Sequence, residues 1–202
     1  MHELTRLCLQ LGAGDKGSGH LYTEFYGPLL TPNKEKFTDV LEIGIGAGAS
    51  LRLWKEFFPK AQIWGIDNLH YQTSFNIKIP EEILEDNRMN IYLKDAYSDD
   101  QVAELKSTGT KFDLILDDGS HSPHDQLFVL NRYIDLLKES GILLIEDVGS
   151  LGNAYFIADN FKGDKGRLSI IDRRLNPTGR ALEEPDKHKH ISNWDEIIIL
   201  YM

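Results

Sequence analysis

Four carboxylates and a histidine gather in two short stretches of the sequence, Leu116-Asp117-Asp118-Gly119-Ser120-His121 and Ile145-Glu146-Asp147-Val148, each at the end of an apolar run. If the runs are neighbouring strands of one sheet, Asp118, Glu146 and Asp147 leave it at the same edge. Carboxylates so placed repel one another unless a proton or a cation lies among them. An all-oxygen set selects a hard ion such as Mg2+, and the single cysteine offers no Cys/His set for structural zinc. An imidazole beside such an ion suits a general base that takes a proton from a hydroxyl, and His121 has that position. His124, on the first turn of the next helix, reads as structural or outer-shell.

A second group of residues reads as a nucleotide-type site. In Glu42-Ile43-Gly44-Ile45-Gly46-Ala47-Gly48-Ala49-Ser50, missing side chains at Gly44, Gly46 and Gly48 let a ligand approach the backbone where a strand turns into a helix. Asp67 ends the next apolar run about twenty residues later, where a carboxylate can accept both hydroxyls of a ribose. The Gly-x-Gly-x-Gly spacing disfavours a dinucleotide, and the lack of a following Gly-Lys-Ser/Thr excludes a P-loop. Glu42, ahead of the loop, suits a cationic ligand better than a pyrophosphate. S-adenosyl-L-methionine carries a sulfonium and an ammonium, and Asp95, in Lys94-Asp95-Ala96-Tyr97-Ser98, is placed to accept from an adenine amino group.

The elements that must hold these residues alternate. Strands are expected at Asp39 to Ile45, Gln62 to Asp67, Asn90 to Leu93, Phe112 to Leu116 and Gly141 to Ile145, with helices at Ser50 to Phe58, Asp99 to Lys106 and Asp125 to Leu137. Runs this apolar suit a parallel sheet covered on both faces. Ser122, Pro123 and Asp125 form a capping box for the last helix, whose buried stripe reads as Leu127, Leu130, Ile134 and Leu137. Arg167 to Asp172 and Glu196 to Tyr201 read as a closing antiparallel pair. Arg173 to Trp194, with Arg180, His188 and Trp194, reads as a long surface loop and a candidate acceptor region, and Leu69 to Pro80 as a second insertion. The fold class is therefore α/β: a three-layer, Rossmann-like, mostly parallel sheet with a C-terminal antiparallel hairpin.

The 202 residues suffice for one domain with a substantial core, here divided into a segment 1–36 and an α/β core 37–202. With 22 Lys and Arg against 32 Asp and Glu the net charge is -10, which disfavours nucleic acid as a partner. The apolar stretch around Leu7 to Leu11 is too short for a membrane span or a signal peptide, and one cysteine fits a reducing compartment, so a cytoplasmic location without membrane contact is expected.

Taken together, these motifs resemble class I S-adenosylmethionine-dependent methyltransferases, and more narrowly the magnesium-dependent sugar O-methyltransferases of macrolide biosynthesis (mycinamicin type). The resemblance runs from Gly14-Asp15-Lys16-Gly17-Ser18 and His20-x-Tyr22-x-x-x-Tyr26 through the glycine loop and Gly65-Ile66-Asp67 to the two carboxylate stretches. It implies the following roles. Gly44 to Ser50, with Gly46, Ala47 and Gly48, wrap the methionine part of the cofactor. Asp67 holds the ribose, Asp95 and Ala96 face the adenine, and Asp117 and Glu42 complete the cofactor set. Lys16 and Tyr22 close over it. Asp118, Glu146 and Asp147 bind Mg2+, and His121 is the base. The implied acceptor is a small-molecule sugar or glycan. Catechol-like acceptors, a nicotinamide-dependent oxidoreductase and a non-catalytic cofactor-binding domain are the rival readings. Whether the chain forms a homo-oligomer or is a domain of a larger glycan-modifying protein stays open on sequence alone.

Overall fold

Two helices, α1 (Glu3–Leu11) and α2 (Tyr22–Leu30), come before the alternating part of the chain. The computed structural model describes residues 1–13, 15–17, 20–76, 78–173 and 197–202. Alternation begins with β1 (Asp39–Ile43), α3 (Ala49–Phe57) and β2 (Gln62–Ile66). Two short helices, α4 (His70–Phe75) and α5 (Glu81–Leu84), then lead to β3 (Met89–Tyr92). There follow α6 (Asp99–Ser107), β4 (Phe112–Asp117), α7 (Pro123–Tyr133), β5 (Leu137–Ile145), α8 (Leu151–Asn160), β6 (Leu168–Asp172) and β7 (Ile197–Tyr201).

The strands form one sheet in the order β3-β2-β1-β4-β5-β7-β6. The first five strands pair in parallel, whereas β7 lies antiparallel to both β5 and β6. This is the expected three-layer, mostly parallel sheet with a C-terminal antiparallel pair. Successive strand residues serve opposite layers, as the period of two requires. Val40, Leu114, Leu144 and Ile198 pack under α1, α2 and α3 with Leu4, Tyr26 and Trp54. Leu41, Ile115, Leu143 and Ile199 pack under α6, α7 and α8 with Leu105, Val129 and Ile157. Residues 1–36 thus supply part of the core.

The register positions the site. Ile43 lies opposite both Ile66 and Asp117, and Asp117 opposite Ile145, so four strands end at one level. The ladder runs one residue further: Asp118 N–H donates to Ile43 O and Glu146 N–H to Asp117 O, both at 2.9 Å. Strand order reverses at β1, between β2 and β4, and the crevice at that switch point is where ligands of open α/β sheets bind.

Several expectations change. The helix read as Asp125 to Leu137 begins at Pro123 and ends at Tyr133; a 3-10 turn, Ile134–Leu136, follows, and Leu137 opens β5 four residues before the expected start at Gly141. Its buried face is Gln126, Val129, Leu130 and Tyr133, because the helix wedges between the sheet and α8 rather than resting on one stripe. Ser122 takes the N-cap position without a side-chain capping bond. Instead Ser120 Oγ accepts from Ser122 N–H at 3.2 Å and donates to Asp125 Oδ2 at 2.6 Å. The insertion Leu69 to Pro80 contains α4, and α8 had no counterpart in the sequence reading. Residues 174–196, which include Arg180, His188 and Trp194, lie outside the described residues.

Candidate functional site

A cleft of about 700 Å3 opens at the carboxyl ends of β1, β2 and β4. One wall is the glycine loop. Gly44, at φ +80°, passes so close to the next strand end that a Cβ there would fall 2.1 Å from the Asp118 carbonyl oxygen. Only glycine fits that crossing. Gly46, Ala47 and Ser50 line the cleft, while Gly48 turns the chain into α3 in the left-handed region and is not part of the wall.

Asp67 holds the loop. Its Oδ2 accepts from the backbone N–H groups of Ile45 (2.9 Å) and Gly46 (3.2 Å), and its Oδ1 accepts from Leu69 N–H at 2.7 Å. A carboxylate has about four lone-pair sites, so roughly one is left for a ribose hydroxyl. Glu42 lies beneath the loop, outside the cleft wall and wholly buried. Its Oε2 accepts from Ser50 Oγ (2.7 Å) and Trp54 Nε1 (3.1 Å), whereas Oε1 has no hydrogen-bond donor. Burial pushes its pKa up to about 7, against the pull of Lys16. Ala96 lines the cleft. Its neighbour Asp95 is exposed and turns its Oδ1 to Tyr97 N–H at 2.9 Å.

The carboxylates meet Lys16 from the amino-terminal segment. Its ammonium, 4% exposed, lies 2.5 Å from both Asp118 Oδ2 and Glu146 Oε2 and 3.6 Å from Glu42 Oε1. Burial alone would lower its pKa, but these three carboxylates overcome that and hold it well above the usual lysine range. Burial and the neighbouring Asp118 and Asp147 carboxylates raise Glu146 above the usual range even beside that ammonium. Tyr26 donates from its hydroxyl to Glu146 Oε1 at 2.6 Å, and Tyr22 donates to Asp147 Oδ1 while accepting from Asp147 N–H at 3.2 Å.

His121 and Asp147 are both held in the left-handed region, at φ 57° and 54°, a strained state for such residues that concentrates at functional sites. His121 Nε2 lies 3.7 Å from Asp147 Oδ2, with the ring 44% exposed at the cleft mouth. Asp118, His121 and Asp147 each present a ligand atom, all within 4.8 Å of one another. These groups fit a hard divalent ion through Asp118 and Asp147. Glu146 joins that set only if it gives up Lys16, because its other oxygen is taken by Tyr26. Asp117 lies below the site, buried, with its pKa raised by burial to about 7.

Two residues without an assigned role in the sequence reading matter here. Tyr97, in the cleft wall, accepts from Ser120 N–H at 2.7 Å and donates to Asp117 Oδ1 at 3.2 Å, tying the two strand ends together. It stands two residues past Asp95, but an aromatic at a turn carries no signal of its own. Tyr26 follows Tyr22 at i+4 on α2, a spacing that puts both rings on one helix face.

Comparison with known proteins gives a consistent picture. A family described as "Methyltransferase domain" matches residues 41–148. Demethylmacrocin O-methyltransferase of Streptomyces fradiae is 28% identical over 166 residues, 79% of this chain and 39% of that protein. The 8-demethyl-8-alpha-L-rhamnosyl tetracenomycin-C 2'-O-methyltransferase of Streptomyces olivaceus is 25% identical over 152 residues, 72% of this chain and 37% of that one. Among solved structures, a methyltransferase of the mycinamycin biosynthetic pathway in complex with Mg, SAH and mycinamycin VI is similar at TM-score 0.62 and 25% identity, covering 80% of this chain and 42% of that one. The chain thus spans about two fifths of the length of these relatives.

Proposed function

The chain belongs to the family of methyltransferase domains, and from that premise we propose that it is an S-adenosyl-L-methionine-dependent, Mg2+-assisted O-methyltransferase acting on a sugar hydroxyl, with His121 as the general base. One observation carries the reading: a glycine-loop cleft of about 700 Å3 shares its wall with Asp118, His121 and Asp147. The sugar acceptor is supported by a relative whose name specifies O-methylation of a rhamnosyl tetracenomycin.

In this reading the loop from Gly44 to Ser50 receives the methionine part of the cofactor against its backbone. Asp67 keeps the loop in shape and accepts from the ribose. Ala96 borders the adenine, with Asp95 and, through Tyr97, Asp117 fixing the turn behind it. Lys16 and Tyr22 close the amino-terminal side. The carboxylates around the cleft favour a cofactor that carries a sulfonium and an ammonium over one that carries phosphates.

Asp118 and Asp147, with Glu146 in reserve, would hold a Mg2+ ion, which would supply Lewis acidity toward an acceptor hydroxyl. His121 takes that hydroxyl's proton on its ring nitrogen, and Asp147 orients the ring and stabilises its charge as the proton arrives. An imidazole at the exposed mouth suits this role better than that of a metal ligand, since Mg2+ prefers oxygen.

The test is incubation of the chain with S-adenosyl-L-methionine, Mg2+ and a panel of glycosides and catechols, read by mass spectrometry. Addition of one methyl to a glycoside, lost with chelator, is the expected result. His121→Ala should lower turnover by about 10²-fold or more while leaving cofactor and Mg2+ affinity intact. Loss of Mg2+ affinity in that variant would make His121 a ligand instead of the base. Full activity in excess chelator would remove the metal from the mechanism, and methylation of catechols alone would overturn the sugar assignment.

A further inference from the structure

The Lys16 ammonium occupies the place where a cation would neutralise Asp118 and Glu146, and it comes from a segment more than a hundred residues away in sequence. It lies 2.5 Å from Asp118 Oδ2 and from Glu146 Oε2. Glu146 Oε1 is held by Tyr26, so the oxygen facing Lys16 is the one that a metal could share. A cation that uses these two oxygens must replace the ammonium, because two positive centres cannot share the same pair of carboxylate oxygens at bonding distance.

A second seat for the ammonium is present. Glu42 Oε1 lies 3.6 Å from Lys16 Nζ, is fully buried and has no hydrogen-bond donor, while the other oxygen of the same carboxylate is fixed by Ser50 and Trp54. A buried carboxylate oxygen without a donor is costly, and a small side-chain movement would bring the ammonium onto it.

We propose that Lys16 is an internal competitor of the divalent cation: it neutralises Asp118 and Glu146 while the metal is away, yields them when the metal binds, and moves onto the waiting oxygen of Glu42. Lys16 is then a positioning residue that sets metal affinity and keeps the carboxylates together between turnovers. This inference rests on the metal-assisted reading above.

Two variants have opposite expected signs. Lys16→Met keeps the length of the side chain and removes the competing charge, so Mg2+ affinity measured by isothermal titration calorimetry should tighten about tenfold or more. Glu42→Gln removes the charge of the second seat and makes displacement harder, so affinity should weaken several-fold. In the Lys16→Met background, Glu42→Gln should leave Mg2+ affinity unchanged, since no ammonium needs a seat. Circular dichroism and urea unfolding check that each variant is folded, and either single variant alone tests its own sign. Mg2+ binding that is unchanged or weaker in Lys16→Met, or insensitive to Glu42→Gln, overturns the proposal while leaving the metal-assisted reading intact. Absence of Mg2+ binding in both wild type and Lys16→Met overturns both.

Discussion

Removing the hydroxyl of Tyr26 tests the carboxylate cluster from below. The ring is fully buried, stacks on Tyr22 at 5.8 Å and meets Trp54 at 6.4 Å, so Tyr26→Phe preserves the packing and deletes one oxygen. That oxygen donates the 2.6 Å bond to Glu146 Oε1, inside the protein where no water can replace it. Leaving a buried acceptor without its donor costs about 1–3 kcal/mol. For a chain of this size each kcal/mol corresponds to about 2–4 °C in Tm, so a loss of about 2 kcal/mol would lower Tm by about 4–8 °C. Urea unfolding with an unchanged m-value would give the same loss as a shift in midpoint. In a double-mutant cycle with Glu146→Gln, the two changes should couple by about 1 kcal/mol or more. A stability change below about 0.5 kcal/mol, or simple additivity in the cycle, would refute the assignment of Tyr26 as the partner of Glu146.

Two further outcomes follow from the site. Gly44→Ala should abolish cofactor binding by calorimetry and lower stability by more than the roughly 1–2 kcal/mol of a left-handed alanine, because its Cβ would lie 2.1 Å from the Asp118 carbonyl oxygen; wild-type cofactor affinity would contradict the crossing described here. Glu42, whose pKa rises from 4.5 to about 7 on folding, binds its proton more tightly in the native state, so its contribution is fully present below about pH 4.5 and is lost as pH rises to about 7. The loss amounts to about 3 kcal/mol, and Glu42→Gln should flatten this part of the stability profile; an equally steep profile in the variant would exclude Glu42 as its source.

The sheet was legible because its strands are buried on both faces and therefore read as uninterrupted apolar runs. The loop residues at their ends were legible because glycines and carboxylates are conspicuous after such runs. Less visible was α8, whose sequence Leu151 to Asn160 has a weakly segregated apolar face and a glycine in its first turn. The end of α7 was misread because Ile134 and Leu137 continue the helical spacing, and only the pairing of Leu137 with Phe112 shows that the chain has already joined the sheet. Lys16 had been read as closing over the cofactor. That its ammonium lies among Glu42, Asp118 and Glu146 depends on the tertiary fold, and no local pattern encodes a contact across 130 residues. Glu42 had been read as facing a ligand, but its position on β1 points it under the loop, into the layer that contains Trp54.

The long reach of Lys16 also bears on how the chain acquires its shape. Lys16 to Asp118, Tyr22 to Asp147 and Lys16 to Glu146 close loops of 102, 125 and 130 residues, among the most distant pairings available to the chain. Loop closure of this kind is a late event, since its entropic cost is repaid only when the intervening strands are already in place. On a ribosome adding about 5–20 residues per second, the lysine would wait about 7–26 s for Glu146 to be synthesised. Through that interval α1 and α2 can already pack on each other and on α3, whereas the residues that β5 and β7 add to their shared core arrive last. The ion cluster is then a marker of completed folding: a chain arrested before β5 would have the glycine loop, Asp67, Asp118 and His121, but neither Glu146 nor Asp147.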